Sequence, residues 1–141
     1  MELRLALVCD DVRERPDGRL DVLGILDELH APGFPAVQQR MTVVFVMEWD
    51  GEETGAQVFR ADLVGPDETR ALTIEGGTEV PARATRAAPP RTRLVLPVEN
   101  VVFPRPGLYR FDLVAGGDTH RACTLYLHER TGEAARPGSP T

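Results

Sequence analysis

With 141 residues, 42% of them hydrophobic and 27% charged, the chain has the size and balance of one ordinary domain. Its net charge of −6 argues against a general nucleic-acid binder, whose affinity rests on cationic contacts to phosphate. No stretch approaches the ~20 apolar residues of a membrane-spanning helix, and the opening apolar run is broken by Arg4 without a basic leader, so a cytoplasmic domain with neither nucleic-acid nor membrane partners is expected.

The recurring pattern is apolar alternation of period two between turn residues, the signature of strands. Leu3, Leu5, Leu7 and Cys9 would share one face of a first strand. Pro16-Asp17-Gly18 is a turn, with proline presetting φ and glycine supplying the permissive position. A second strand, from about Arg19 to Leu29, would close an N-terminal hairpin. Ala31 to Pro35, with two prolines, is a connection. A third strand follows from about Gln39 to Trp49, with Met41, Val43, Phe45, Met47 and Trp49 on one face and Val44 and Val46 on the other.

After the turn at Asp50 to Glu53, Gly55 to Val64 returns antiparallel, and Ala71 to Glu75 makes a short fifth strand. Residues 76–90 read as the longest irregular stretch. Arg91 to Val101 alternates again, but Pro97 cannot donate to a ladder and implies an edge or a bulge. Leu108 to Ala115, a tight turn at Gly116-Gly117-Asp118, and His120 to His128 complete the pattern. The expectation is an all-β, antiparallel, immunoglobulin-like or Greek-key β-sandwich of about 7–8 strands over residues 1–128, with 129–141 as a disordered tail.

Catalytic chemistry is poorly provided for. The only serine, Ser139, lies in the tail, which excludes a serine triad. Cys9 and Cys123 are expected as two small buried hydrophobes rather than a reactive or bridged pair. Among the histidines, His120 and His128 share a strand face but stand on the order of 26 Å apart at strand rise, so they cannot share an ion. His30 would approach either only through the topology, and three surface histidines with no metal are expected. Asp10, Asp11 and Glu14 form an acidic patch that lacks the ligand spacing of a calcium loop.

Arginine is the more informative residue, since the chain contains no lysine. Arg83, Arg86, Arg91 and Arg93 fall close together among prolines and small residues, a composition suited to binding an anion or a partner. Residues 1–70 hold seven arginines against fifteen acids, and residues 71–141 nine against seven. The basic loop could therefore meet the acidic half of another copy. Tyr109, following Pro106-Gly107, reads as a fold marker whose hydroxyl bonds back to the backbone.

Two stretches carry a resemblance. Leu3-x-Leu5-Ala6-x-x-Cys9-Asp10 with Gly18-Arg19-Leu20-x-x-x-Gly24-Ile25-x-Asp27, and Phe103-Pro104-x-Pro106-Gly107-x-Tyr109-x-Phe111, are similar to an uncharacterised bacterial family of small intracellular domains of unknown function. The resemblance implies a fold but no activity, cofactor or catalytic residue. The expected role is a non-enzymatic binding or assembly module engaging a protein partner or a second copy, without cofactors. The alternative is a small-ligand binder or hydrolase using a strand-end cleft.

Overall fold

The computed structural model describes residues 1–84 and 87–130. Among these the chain forms nine strands in two sheets: β1 (Glu2–Glu14), β2 (Leu20–Ile25), β3 (Glu28–Ala31), β4 (Ala36–Glu48), β5 (Gly55–Val64), β6 (Arg70–Val80), β7 (Arg91–Phe103), β8 (Gly107–Ala115) and β9 (Asp118–Glu129). One sheet has the order β2-β1-β4-β7 and the other β3-β9-β8-β5-β6. Neighbours are antiparallel, except that β3 runs parallel to β9. The β1-β4-β7 layer facing β9-β8-β5-β6, with crossings between sheets at β4–β5, β6–β7 and β7–β8, is the Greek-key arrangement of an immunoglobulin-like sandwich. No helix among the described residues is long and apolar enough to cross a membrane.

The core lies between the sheets. Met41, Val43, Phe45, Met47 and Trp49 line it from one side, and Phe59, Ala61, Leu63, Tyr109, Phe111 and Leu113 from the other. Phe45 meets Phe111 edge to face, with ring centroids 6.3 Å apart. Tyr109 stands edge-on to Phe103 at 5.0 Å, its hydroxyl donating to the Arg105 carbonyl at 2.7 Å and accepting from the Arg105 N–H at 3.2 Å. The fold marker read from Pro106-Gly107-x-Tyr109 is thus present as expected. So is the β8–β9 turn, where Gly116 and Gly117 both take the positive φ that a two-residue hairpin demands. Pro97 lies on β7, an edge strand.

Five local expectations need correction. In β1 the register shifts between Leu3 and Leu5, so Ala6 and Val8 face the core while Leu5, Leu7 and Cys9 turn outward; the four residues do not share a face. The expected second strand breaks after Ile25, and its last residues change sheets to become β3 beside β9. β6 runs through Gly76 and Gly77 to Val80 instead of ending at Glu75. A Cβ on Gly76 would stand 2.6 Å from the Phe59 ring, so glycine is there because the cross-strand aromatic lies over it. In β7 the half-buried, core-facing positions Leu94, Leu96 and Val98 change phase to the buried Val101 and Phe103 across Asn100, which has φ 53°. The expected tail at 129–141 begins inside β9, which runs to Glu129, and its remainder from 131 lies outside the described residues.

Candidate functional site

The outer face of the four-stranded sheet is apolar and covered at its middle, while Leu5 and Val95 remain 45% and 37% exposed. Cys9, Thr42 and Pro97 form one cross-strand row; Leu7, Val44 and Val95 form the next, and Leu5, Val46 and Arg93 the one beyond. An extended β1–β2 hairpin would carry its tip roughly 30 Å past the Leu5 row at strand rise. Instead the Arg93 guanidinium on β7 donates to the carbonyl of Gly18, at that tip. The hairpin therefore folds back across β4 towards the far edge of its own sheet. Its root carries Gly24 at φ 67°, and the Asp10 carboxylate lies against the Cα of that glycine, where no side chain would fit. Beneath this arm Val44 is 0% and Thr42 1% exposed, although both point away from the core. Val44 and Thr42 are thus covered within one chain, whereas Val37 and its cross-strand partner Val102, at the far end of β4 and β7, are 57% and 47% exposed.

The arginine cluster does not converge on a ligand. Arg83 donates to the Ala87 carbonyl at 2.9 Å, Arg91 to Glu48 at 2.8 Å, and Arg93 to the arm. Arg86 lies outside the described residues. The acidic patch is likewise dispersed: Asp11 accepts from the Val12 N–H at 2.9 Å and lies 3.5 Å from Arg40, Asp10 packs on Gly24, and Glu14 ends β1 in solvent. Among the described residues, Asp10, Asp11 and Glu14 contact none of Arg83, Arg91 and Arg93. The two cysteines are free thiols on different surfaces, Cys9 under the arm and Cys123 against the core. Burial pushes the Cys123 thiol up to about 12, and burial with the nearby Asp10 and Asp11 raises that of Cys9, so neither is poised as a thiolate.

The outer face of the five-stranded sheet is open and carries two features that sequence patterning did not single out. Asp62 and Asp112 are direct cross-strand neighbours, a like-charge pairing that destabilises a sheet unless compensated. Compensation is dense: Asp62, 3% exposed, accepts from Arg60 Nε at 3.1 Å and Thr73 Oγ1 at 2.8 Å, while Arg110 Nε reaches Asp112 at 3.1 Å. Arg110 also grips Glu68, which holds the Glu68 carboxyl below its ordinary value and raises the guanidinium further. Asp62 and Asp112 are thus each held by an arginine guanidinium on the same strand.

Towards the other end of β5 lies a shallow groove of about 680 Å³, bordered by Val58, Arg60, Glu75, Val114, Gly116 and Gly117. Val58 points outward opposite Gly77 and is 78% exposed. No local signal in the sequence distinguishes it from the other apolar positions of β5.

A strand-end cleft of about 340 Å³ does exist at the β3–β4 connection, lined chiefly by Leu29, Pro32, Pro35, Phe103 and Leu127. Of the residues expected to equip such a cleft, only His30 borders it; Asp10, Asp11 and the arginines do not. The topology does bring His30 beside His128, as direct partners in the β3–β9 register. Sequence spacing could not show this, because it depends on β3 changing sheets.

Fold and surface together define an immunoglobulin-like β-sandwich with the middle of one outer face under its own hairpin and the other face open. The chain belongs to the family of unknown function DUF6941, whose model matches residues 4–128. No curated protein and no solved structure matches it.

Proposed function

We propose that this protein is a non-enzymatic assembly module that pairs with a second copy of itself through the outer face of its five-stranded sheet. The observation that carries this reading is Val58, 78% exposed beside glycines in an open groove. A two-fold contact needs a surface that complements itself. Here the projecting side chain and the glycine-floored depression lie in one patch. At its border the cross-strand pair Arg60 and Glu75 supplies both charges, so each can face its opposite in the other copy. The arm over the other sheet favours this face, because it leaves Val44 and Thr42 nothing to gain from a partner. The arginine-held carboxylates of Asp62 and Asp112 support a binding role over acid–base chemistry.

The patch is small beside standard interfaces, so association with a dissociation constant on the order of 1–100 μM is expected. Sedimentation equilibrium across that range should show a monomer–dimer equilibrium that Val58→Asp abolishes. Gly77→Ala should weaken it by filling the space opposite Val58, since a Cβ at Gly77 meets only the Gln57 carbonyl, at 3.4 Å. A wild-type chain that stays monomeric throughout, or a dimer indifferent to both variants, overturns the proposal.

A further inference from the structure

At the opposite edge of the same face, β3 and β9 set three potential ligands together. Leu29, Leu125 and Leu127 point into the core, so Glu28 and His30 on β3 and Tyr126 and His128 on β9 point outward. Parallel pairing puts His30 directly beside His128 and Glu28 beside Tyr126. Backbone hydrogen bonds from Tyr126 to Asp27 at 2.9 Å and from Arg130 to Ala31 at 2.6 Å bracket the pair and fix the two strands. The His128 ring is sandwiched, with Tyr126 on one side at 4.6 Å and His30 on the other at 4.8 Å. Its Nε2 lies 3.1 Å from Glu28 Oε1.

We infer that Glu28, His30 and His128 form a binding site for a divalent transition metal of the zinc class. Two imidazoles and one carboxylate are a ligand set such ions accept. One potential ligand atom from each residue lies within 4.8 Å of the other two. A tetrahedral ion with bonds of roughly 2.0–2.1 Å needs its ligands about 3.3 Å apart. Glu28 and His128 already meet that spacing. His30 must close by roughly 1.5 Å relative to that spacing, a movement within reach of side-chain rotation at a surface where Glu28 is 60% exposed.

Two neutral imidazoles and one ionised carboxylate are the ligand forms such an ion takes. Three protein ligands leave the fourth position facing solvent, where water or a donor from another molecule completes the shell. The site lies on the β3 edge, away from the Val58 groove on β5, and does not depend on dimer formation.

The test is titration of the full-length chain, free of any affinity tag, with Zn²⁺ alone by calorimetry, and with Co²⁺ by visible absorption. One ion per chain is expected, with cobalt bands of a nitrogen- and oxygen-ligated centre. His30→Ala, His128→Ala and the milder His128→Gln should each weaken binding at least tenfold while leaving the far-ultraviolet circular dichroism unchanged. A Cys9→Ala/Cys123→Ala chain should bind as the wild type does. Absence of saturable binding, binding indifferent to every histidine variant, or binding lost with the cysteines would each overturn the inference.

Discussion

Replacing Tyr109 by Phe isolates one structural device from its surroundings. The ring is 1% exposed and packs edge-on against Phe103, and Phe retains that packing. What disappears is the hydroxyl and its two hydrogen bonds to the Arg105 backbone, at 2.7 and 3.2 Å. Arg105 is in a solvent-exposed loop, so its freed N–H and C=O can find water, and the loss is the net value of the bonds rather than a full desolvation penalty. At about 1 kcal/mol per bond, partly offset by the easier burial of Phe, the expected destabilisation is about 1–2 kcal/mol. Urea unfolding followed by tryptophan fluorescence reads this directly, since Trp49 is buried and is the only tryptophan. With an m-value of about 2 kcal/mol/M, the midpoint should fall by roughly 0.5–1 M at constant slope. An unchanged midpoint would show that the β7–β8 corner is held by ring packing alone. A loss above about 3 kcal/mol would mean the ring itself had been displaced, as expected for Tyr109→Ala.

Gly76→Ala should destabilise by about 1–3 kcal/mol, because its Cβ falls 2.6 Å from Phe59 Cζ; Phe59→Leu in the same chain should restore part of the loss, measured as a double-mutant cycle. Glu68 has its carboxyl lowered by Arg110, so its contribution is present above the ordinary value of 4.5 and is lost as pH falls through the depressed one. Arg110→Ala should therefore flatten the acid limb of stability below that pH, and a limb unchanged in slope would refute the linkage. Both thiols should resist Ellman's reagent in the native state and react once urea unfolds the chain, because burial raises them; rapid native labelling would contradict their placement.

Period-two alternation and turn residues made the sandwich legible, because each strand must bury one face whatever its neighbours do. β5 and β8 follow that rule, β9 follows it from Cys123 onward after a bulge at Ala122, and Tyr109 after Pro106-Gly107 marked the corner correctly. Alternation failed where a non-local partner decides the local conformation. Gly76 and Gly77 look like strand breakers until Phe59 is laid across Gly76, and the bulge after Leu3 becomes visible only in the pairing with β4. The same limit hid both surface features. Val58 is conspicuous only because Gly77 faces it, and His30 meets His128, ninety-eight positions later in the chain, only because β3 leaves its hairpin to run parallel to β9. The arginines were conspicuous by composition, yet those described spend their donors on Ala87, Glu48 and Gly18.

The fate of Arg93 bears on the architecture as a whole. A sandwich exposes two outer faces, and apolar rows on either would invite association unless covered. On the four-stranded sheet the rows through Val44 are covered by the chain's own hairpin, tied down by Arg93 at Gly18. The five-stranded sheet is managed differently: its centre is occupied by Asp62, Arg110 and Asp112, an ion network that Arg60 joins through its Nε from the border of the Val58 groove. Charge at the centre leaves the two ends of the face, the Val58 groove and the histidine edge, as places where a second molecule or an ion could be accommodated at small desolvation cost. The division between a self-covered face and an open one follows from where the chain spends its hairpin, and it is why both proposals fall on the same sheet.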